Sequence, residues 1–270
     1  MQHLKRCLTL CVLGCFVAIA GCPAIHMYSK DEMNALGEAA FEEKTGYGAT
    51  PPAISSGAAY EALQRVGRAI SAAADAEKAW GYEWEFRLLD DSSNGGAWAM
   101  PGGKIAFYTG IYKHLKDEAG MAIVMGHEVQ HALLQHSNAR MSKGALANLA
   151  IFSVAAGFHT HEQRDLIVAA LGGALAADSL RYARDEELEA DKAGLLLAAR
   201  AGYDPEAAIG VWQRMSKKRR ATPEFMSTHP DPGNRIAALR ALMPEAKALY
   251  KKSVKQPNRP LPPIAKAATR

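Results

Sequence analysis

Residues 121–134 constrain this chain more than any other stretch, because they place two histidines and a glutamate in an otherwise apolar run. The polar side chains are His127, Glu128 and His131, with Gly126 directly before them. Burying imidazoles and a carboxylate in such a run costs free energy unless they bind a partner. On a helix, residues four apart lie on one face, so both histidines can reach one ion. The run therefore predicts a buried helix that binds a metal.

Zinc is the metal that the pattern H-E-x-x-H indicates, and we expect one ion per chain. A catalytic zinc site uses three protein ligands, of which His127 and His131 supply two. Glu128 follows the first ligand and lies beside the ion. This position is typical of a general base that takes a proton from water during attack on a carbonyl.

A third ligand must come from elsewhere in the chain. His136 lies five residues after His131, and we interpret it as a packing or hydrogen-bonding histidine. The acidic run 184–191 is the better candidate, because Glu187 and Asp191 share a helix face. Glu187 can close the site as a carboxylate ligand, and Asp191 can then accept the outer N–H of a ligand histidine. Without the histidines, an acidic run of this kind would be interpreted as a solvated face.

Four motifs in this order resemble those of the M48 metallopeptidases, and the resemblance extends over residues 94–242. In chain order, the motifs are the strand and turn at 97–105, residues 126–132, residues 182–191, and Ser227-Thr228-His229-Pro230 followed by Arg235-Ile236. The resemblance implies a mostly helical α+β fold of the gluzincin-like zincin type, with a small β-sheet or hairpin along the active-site cleft. It also implies that Glu187 is the third zinc ligand and that Asp191 orients a ligand.

The same resemblance marks His229 and Arg235 as catalytic candidates with open roles. His229 could donate a hydrogen bond to the oxyanion, or it could move onto the zinc and block water. Arg235 could support either role or hold the substrate backbone. Alternatively, His229 caps the last helix and Arg235 pairs with a surface acid.

The N-terminal residues predict export and a lipid anchor. Lys5 and Arg6 precede an apolar stretch that is too short to span a bilayer. The stretch ends in Ile19-Ala20-Gly21-Cys22, which resembles the lipobox of bacterial lipoproteins. We therefore predict a signal peptide at 1–21, a lipidated Cys22, a peptidase domain at 22–245 and a disordered basic tail at 246–270. An uncleaved anchor or a plain secretory signal is the alternative.

Charge supports this division of the chain. The first 21 residues carry two bases, and the last 25 carry seven, with no acids in either segment. The remaining 23 bases and 28 acids give the body a charge near −5. The basic pI of the whole chain therefore comes from its two ends and does not indicate nucleic-acid binding. Periodicity predicts helices at 30–44, 58–76, 118–135, 182–201, 205–217 and 232–242, with further helices within 145–177, and strands at 82–89, 97–100 and 105–108.

These features predict a zinc metalloendopeptidase that faces the periplasm, anchored by lipid to a membrane, which we expect to be the outer membrane. Its substrates would be misfolded or unassembled envelope proteins, bound as extended peptides along the edge of the strand at 97–100. We interpret Trp98 on that strand as a half-buried packing residue. The alternative function is an envelope chaperone or assembly factor that uses the same cleft, with proteolysis secondary.

Overall fold

The computed structural model describes residues 25–77, 81–156, 160–216, 229 and 233–264. Its helices are α1 (Lys30–Thr45), α2 (Ala58–Glu77), α3 (Tyr112–Leu115), α4 (Glu118–Leu133), α5 (His136–Ala156), α6 (His161–Arg200), α7 (Ala207–Ser216) and α8 (Arg235–Lys252). Its strands are β1 (Ala53–Ile54), β2 (Glu85–Leu89), β3 (Ala97–Met100) and β4 (Lys104–Tyr108). The predicted fold class, a mostly helical α+β zincin-like fold with a small sheet, is confirmed.

The described residues form two compact units. The smaller unit contains residues up to Lys30 together with 136–183. Within it, the Met27 backbone N–H donates to Ser142 Oγ at 2.8 Å, so the N-terminal residues lie along α5. The larger unit contains 31–135 and 184–270, and all the predicted metal residues belong to it.

The two apolar stretches predicted as helices near 145–156 and 166–177 lie within α5 and α6. Leu149 and Phe152 on α5 are exposed. In the part of the chain that the structure describes, no helix has both the length and the apolar composition that crossing a membrane requires.

The four strands form one sheet in the order β1-β2-β4-β3. Strand β4 runs parallel to β2 and antiparallel to β3, and its residues from Lys104 to Phe107 are buried. Gly102 and Gly103 connect β3 to β4 with φ angles of +83° and +85°, which only glycine adopts without strain. The order leaves β3 at one edge of the sheet.

Helix α4 lies at the centre of the larger unit, and each of its 16 residues is buried. Because it is buried on all sides, α4 packs against several elements, and it contacts α2, α7 and β3. The Asp117 carboxylate caps its N-terminus by accepting from the Gly120 N–H at 2.8 Å.

Helix α8 continues ten residues beyond its predicted end at residue 242. Pro244 lies inside this helix, where proline removes a backbone donor and clashes with the preceding turn. The helix nevertheless continues to Lys252, and Ala246 is fully buried while Leu249 and Tyr250 pack against the main core. Burial of this apolar face offsets the cost of the proline.

The C-terminal segment 253–264 differs from the predicted disordered tail. Its backbone forms hydrogen bonds with the start of helix α4 and the residues before it. The Glu118 N–H donates to Arg259 O, and the Leu261 N–H donates to Lys116 O, both at 2.9 Å. Glu118 is itself buried and ion-paired with Arg65 and Arg259. Proline favours an extended backbone, and Pro260 in this segment forms an isolated antiparallel β-bridge with Asp117. Residues 265–270 lie outside the described residues.

Deletion of residues 253–270 is expected to lower the free energy of unfolding by about 3 kcal/mol, because backbone bonds and the packing of Leu261 are lost. Urea unfolding measures the change. Deletion of 265–270 alone is the matched control, so the difference between the two deletions isolates the contribution of residues 253–264. Equal unfolding free energies for the two deletions would show that the segment contributes nothing.

Candidate metal centre

Four buried side chains in the larger unit bring donor atoms together: His127, His131, Glu187 and His229. Their donor atoms all lie within 4.8 Å of one another. The two histidines of α4 are one helical turn apart, and Glu187 reaches them from α6. His229 precedes α8 in sequence.

The spacing of the donors fits a tetrahedral ion. Nε2 of His131 lies 3.0 Å from Nε2 of His127. The Glu187 carboxylate oxygens lie 3.2 Å from His131 Nε2 and 3.3 Å from His127 Nε2. Nδ1 of His229 lies 3.3 Å from His127 Nε2 and 2.9 Å from Glu187 Oε1. Zinc bonds of about 2.0–2.1 Å separate tetrahedral donors by about 3.3–3.4 Å. Three imidazoles and one carboxylate at these separations are able to hold a metal ion.

A pair of glycines lets α4 and α6 approach closely enough for this geometry. A Cβ on Gly126 would lie 2.7 Å from the Gly194 carbonyl oxygen, and a Cβ on Gly194 would lie 2.7 Å from the His127 backbone nitrogen. The backbones of the two helices therefore touch at the first histidine. Gly126 directly precedes His127, and the neighbour that it admits is Gly194.

Asp191 and Arg235 support the donor group from behind. Oδ1 of Asp191 lies 3.0 Å from Nδ1 of His127, the ring nitrogen that points away from the other donors. Arg235 donates from Nε to Asp191 Oδ2 at 2.5 Å and from Nη2 to Glu187 Oε2 at 2.8 Å. Its guanidinium lies 4.1 Å from the centre of the Trp212 ring, which also meets the ring of His127 edge-on. One buried arginine thus fixes two carboxylates at once.

Burial and the charges of the site put two donors, His131 and Glu187, into the states that a metal requires. Burial lowers the pKa of His127, but Glu187 and Asp191 outweigh burial and raise it to about 10. Burial holds the pKa of His131 well below its ordinary value, so this ring is neutral. Burial raises the pKa of Glu187, but the facing histidines outweigh burial and leave it well below its usual range. An ion that binds here displaces the proton of His127.

Glu128 lies next to the donor group, against His229. Glu128 is fully buried, and its Oε1 lies 3.4 Å from His229 Nε2.

His229 does not cap α8, because the N-cap position belongs to Asn234. Arg235 pairs with the buried carboxylates of Glu187 and Asp191, so the alternative in which it pairs with a surface acid is wrong. His136 is not in the group of four donors. Ser227, Thr228 and Pro230 of the predicted motif lie outside the described residues.

A sequence model of peptidase family M48 matches residues 58–243, more than half of the chain. The chain belongs to this family. The match includes all four donors, Glu128, Asp191 and Arg235, and it confirms the resemblance seen in the motifs.

Several M48 peptidases are similar to the chain. The mitochondrial metalloendopeptidase OMA1 of Saccharomyces cerevisiae is 30% identical over 186 residues, which is 64% of this chain and 51% of the relative. The OMA1 of Arabidopsis thaliana is 34% identical over 63% of this chain and 34% of its own length. The beta-barrel assembly-enhancing protease of Escherichia coli is 29% identical over 57% of this chain and 33% of its length. The aligned regions thus span about half or less of these relatives.

Sequence reasoning missed two supporting residues of the M48 site, Gly194 and Trp212. Gly194 lies seven residues after Glu187, and an unexplained glycine inside a helix was the available signal. Trp212 lies in a separate helix, and no local pattern connects it to Arg235.

Proposed function

We propose that this chain is a zinc-dependent metalloendopeptidase that hydrolyses peptide bonds of misfolded or unassembled cell-envelope proteins. The observation that carries the proposal is the position of Glu128. This carboxylate is fully buried beside a complete donor group but is not one of the four donors. A site that only stored a metal would not need a buried acid there.

The side chains divide the chemistry among them. His127, His131 and Glu187 would hold zinc, which when bound polarises the carbonyl of the scissile bond. Glu128 accepts a proton from the attacking water and passes it to the leaving amine nitrogen. Asp191 and Arg235 keep His127 and Glu187 in one orientation, so the donors need not reorganise during the reaction.

Strand β3 is the proposed binding surface for the substrate backbone. Among the described strands it pairs only with β4, and it contacts the metal helix α4. Its free edge can accept an extended peptide through backbone hydrogen bonds, which depend little on sequence. Loose specificity of this kind suits an enzyme that removes many different damaged proteins. Exchange of the β3 amides in the presence of a peptide bound to the Glu128→Gln variant would reveal protection there.

His229 is proposed to act as a gate. Its Nδ1 is one of the four donors, so it stands where the attacking water has to enter. Replacement by alanine is therefore expected to raise cleavage severalfold at saturating zinc, measured on dye-labelled casein. A loss of activity in His229→Ala would instead assign His229 to stabilising the oxyanion.

An envelope location is proposed from the N-terminal sequence and from the relatives. Residues 1–24, with the predicted signal peptide and Cys22, lie outside the described residues. One bacterial relative is named for beta-barrel assembly. Lipid anchorage through Cys22 predicts that the chain sediments with membranes and that Cys22→Ser releases it. Equal sedimentation of both forms would contradict the anchor.

Metal removal tests the activity itself. The purified protein should contain about one zinc per chain and should cleave dye-labelled casein. Chelation should abolish cleavage, and stoichiometric zinc should restore it. A folded protein that binds no zinc, or that cleaves equally without it, would contradict the proposal. Zinc-loaded protein that binds unfolded casein without cutting it would favour the chaperone or assembly function.

A further inference from the structure

Helix α1 lies outside the M48 match, which begins at residue 58, yet it packs against the turn between β3 and β4. We name Pro101, Gly102 and Gly103 the hairpin turn. A Cβ on Gly37 of α1 would lie 2.2 Å from the Pro101 carbonyl oxygen. Gly37 therefore allows the helix to touch the backbone of the hairpin turn, and any larger residue would force the two apart.

Further contacts extend along the same face of α1. A Cβ built on Gly102 would lie 3.4 Å from the Asn34 Cα, so a second point of the hairpin turn touches the helix. Phe41, which is buried, meets the Trp98 ring of β3 edge-on at 5.7 Å and packs with Leu89 and Ala106 of the sheet. The helix thus contacts the turn and both strands of the hairpin.

Ion pairs reinforce this packing. The Lys104 ammonium at the start of β4 is buried and lies 3.6 Å from Glu38 Oε2 of α1 and 3.5 Å from Glu85 Oε2 of β2. Arg87 of β2 donates a hydrogen bond from Nη1 to Oγ1 of Thr45 at 2.6 Å and forms an ion pair with Glu42, and both partners belong to α1. A buried ammonium is costly without carboxylates, so α1 and β2 together fix the start of β4.

From these contacts we infer that α1 is a brace that positions the edge of β3 for binding extended polypeptide. The inference rests on the proposed function. The hairpin turn contains two adjacent glycines with positive φ, so it has little stiffness of its own. The free edge of β3 lies on a four-residue strand, and its position relative to α4 depends on what holds the turn. The brace contains none of the donor residues.

This arrangement predicts a separation of binding from chemistry. Displacing the hairpin turn weakens the backbone hydrogen bonds between β3 and the substrate, whereas the metal group on α4 and α6 keeps its geometry. A loss confined to substrate binding raises KM and leaves kcat unchanged.

The variant Gly37→Ala tests the brace. Alanine is the better helix former, so any loss reflects the contact with Pro101 and not a weaker helix. We expect KM for dye-labelled casein to rise about fivefold to tenfold, the effect of losing one or two hydrogen bonds, with kcat and zinc content unchanged. Gly144→Ala on α5 is the matched control, because a Cβ there meets nothing within 4 Å. It should leave KM unchanged.

A second variant and a second measurement secure the test. Glu38→Gln with Glu42→Gln removes the carboxylates that α1 offers to Lys104 and Arg87, at two exposed positions where the shape of the side chain is kept. Backbone hydrogen exchange at β3 and β4 should accelerate in both variants but not in the control. This measurement needs no activity, so it tests the brace even if casein is not cleaved and the proposed function fails. Unchanged exchange in both variants overturns the inference. A rise in KM that is accompanied by a fall in kcat and in zinc content also overturns it.

Discussion

Replacing Glu128 by glutamine is expected to slow casein cleavage by about 10²–10⁴-fold while zinc content stays at one per chain. Glutamine keeps the shape of the side chain but cannot accept a proton at neutral pH. Glu128 is not among the four donors, so the metal group retains its ligands. The expected effect is therefore on kcat, with little change in KM.

Glu189→Gln is the matched control for this change, because Glu189 is an exposed glutamate on the helix that carries Glu187. It should retain full activity and full zinc content. Zinc-loaded Glu128→Gln with the cleavage rate of the wild type would remove the general base from the mechanism. Loss of zinc from Glu128→Gln would instead show that this carboxylate holds the metal group together.

Two pairs of residues at the metal group could be predicted from sequence because each pair lies within a single helix, whereas His229 lies outside the helices. His127 and His131 are one turn apart, and so are Glu187 and Asp191, so helical periodicity alone places each pair on one face. Strands β3 and β4 were predicted at nearly their observed bounds, because two glycines and a proline mark the turn between them.

Features that depend on contacts between distant segments could not be predicted in the same way. The sequence offered Arg235 as a partner for substrate or for a surface acid, whereas the structure places it against two buried carboxylates and Trp212. Likewise, the prolines after residue 256 have the composition of a disordered tail. Only the position of that segment beside Glu118 shows why it is ordered.

The contact between α4 and α6 has the clearest consequence of this kind, and Gly194→Ala tests it. The new Cβ would lie 2.7 Å from the His127 nitrogen and 2.9 Å from its Cα. Both are backbone atoms and cannot rotate away, so the helices must separate. Separation moves Glu187 and Asp191 away from His127. We expect zinc affinity to fall about 10- to 100-fold and stability to drop by about 1–3 kcal/mol.

The matched control lies on the same helix. Gly173→Ala places a Cβ where nothing lies within 4 Å, so it changes only helix propensity and is expected to stabilise α6 by up to about 1 kcal/mol. Zinc competition titration and urea unfolding on both variants measure the two effects separately. If Gly194→Ala binds zinc as tightly as Gly173→Ala, the close crossing of α4 and α6 is not what brings the carboxylates to the histidines. We expect the two substitutions to change the unfolding free energy in opposite directions and only Gly194→Ala to weaken zinc binding. That result would mean that the metal site depends on the distance between the backbones of α4 and α6.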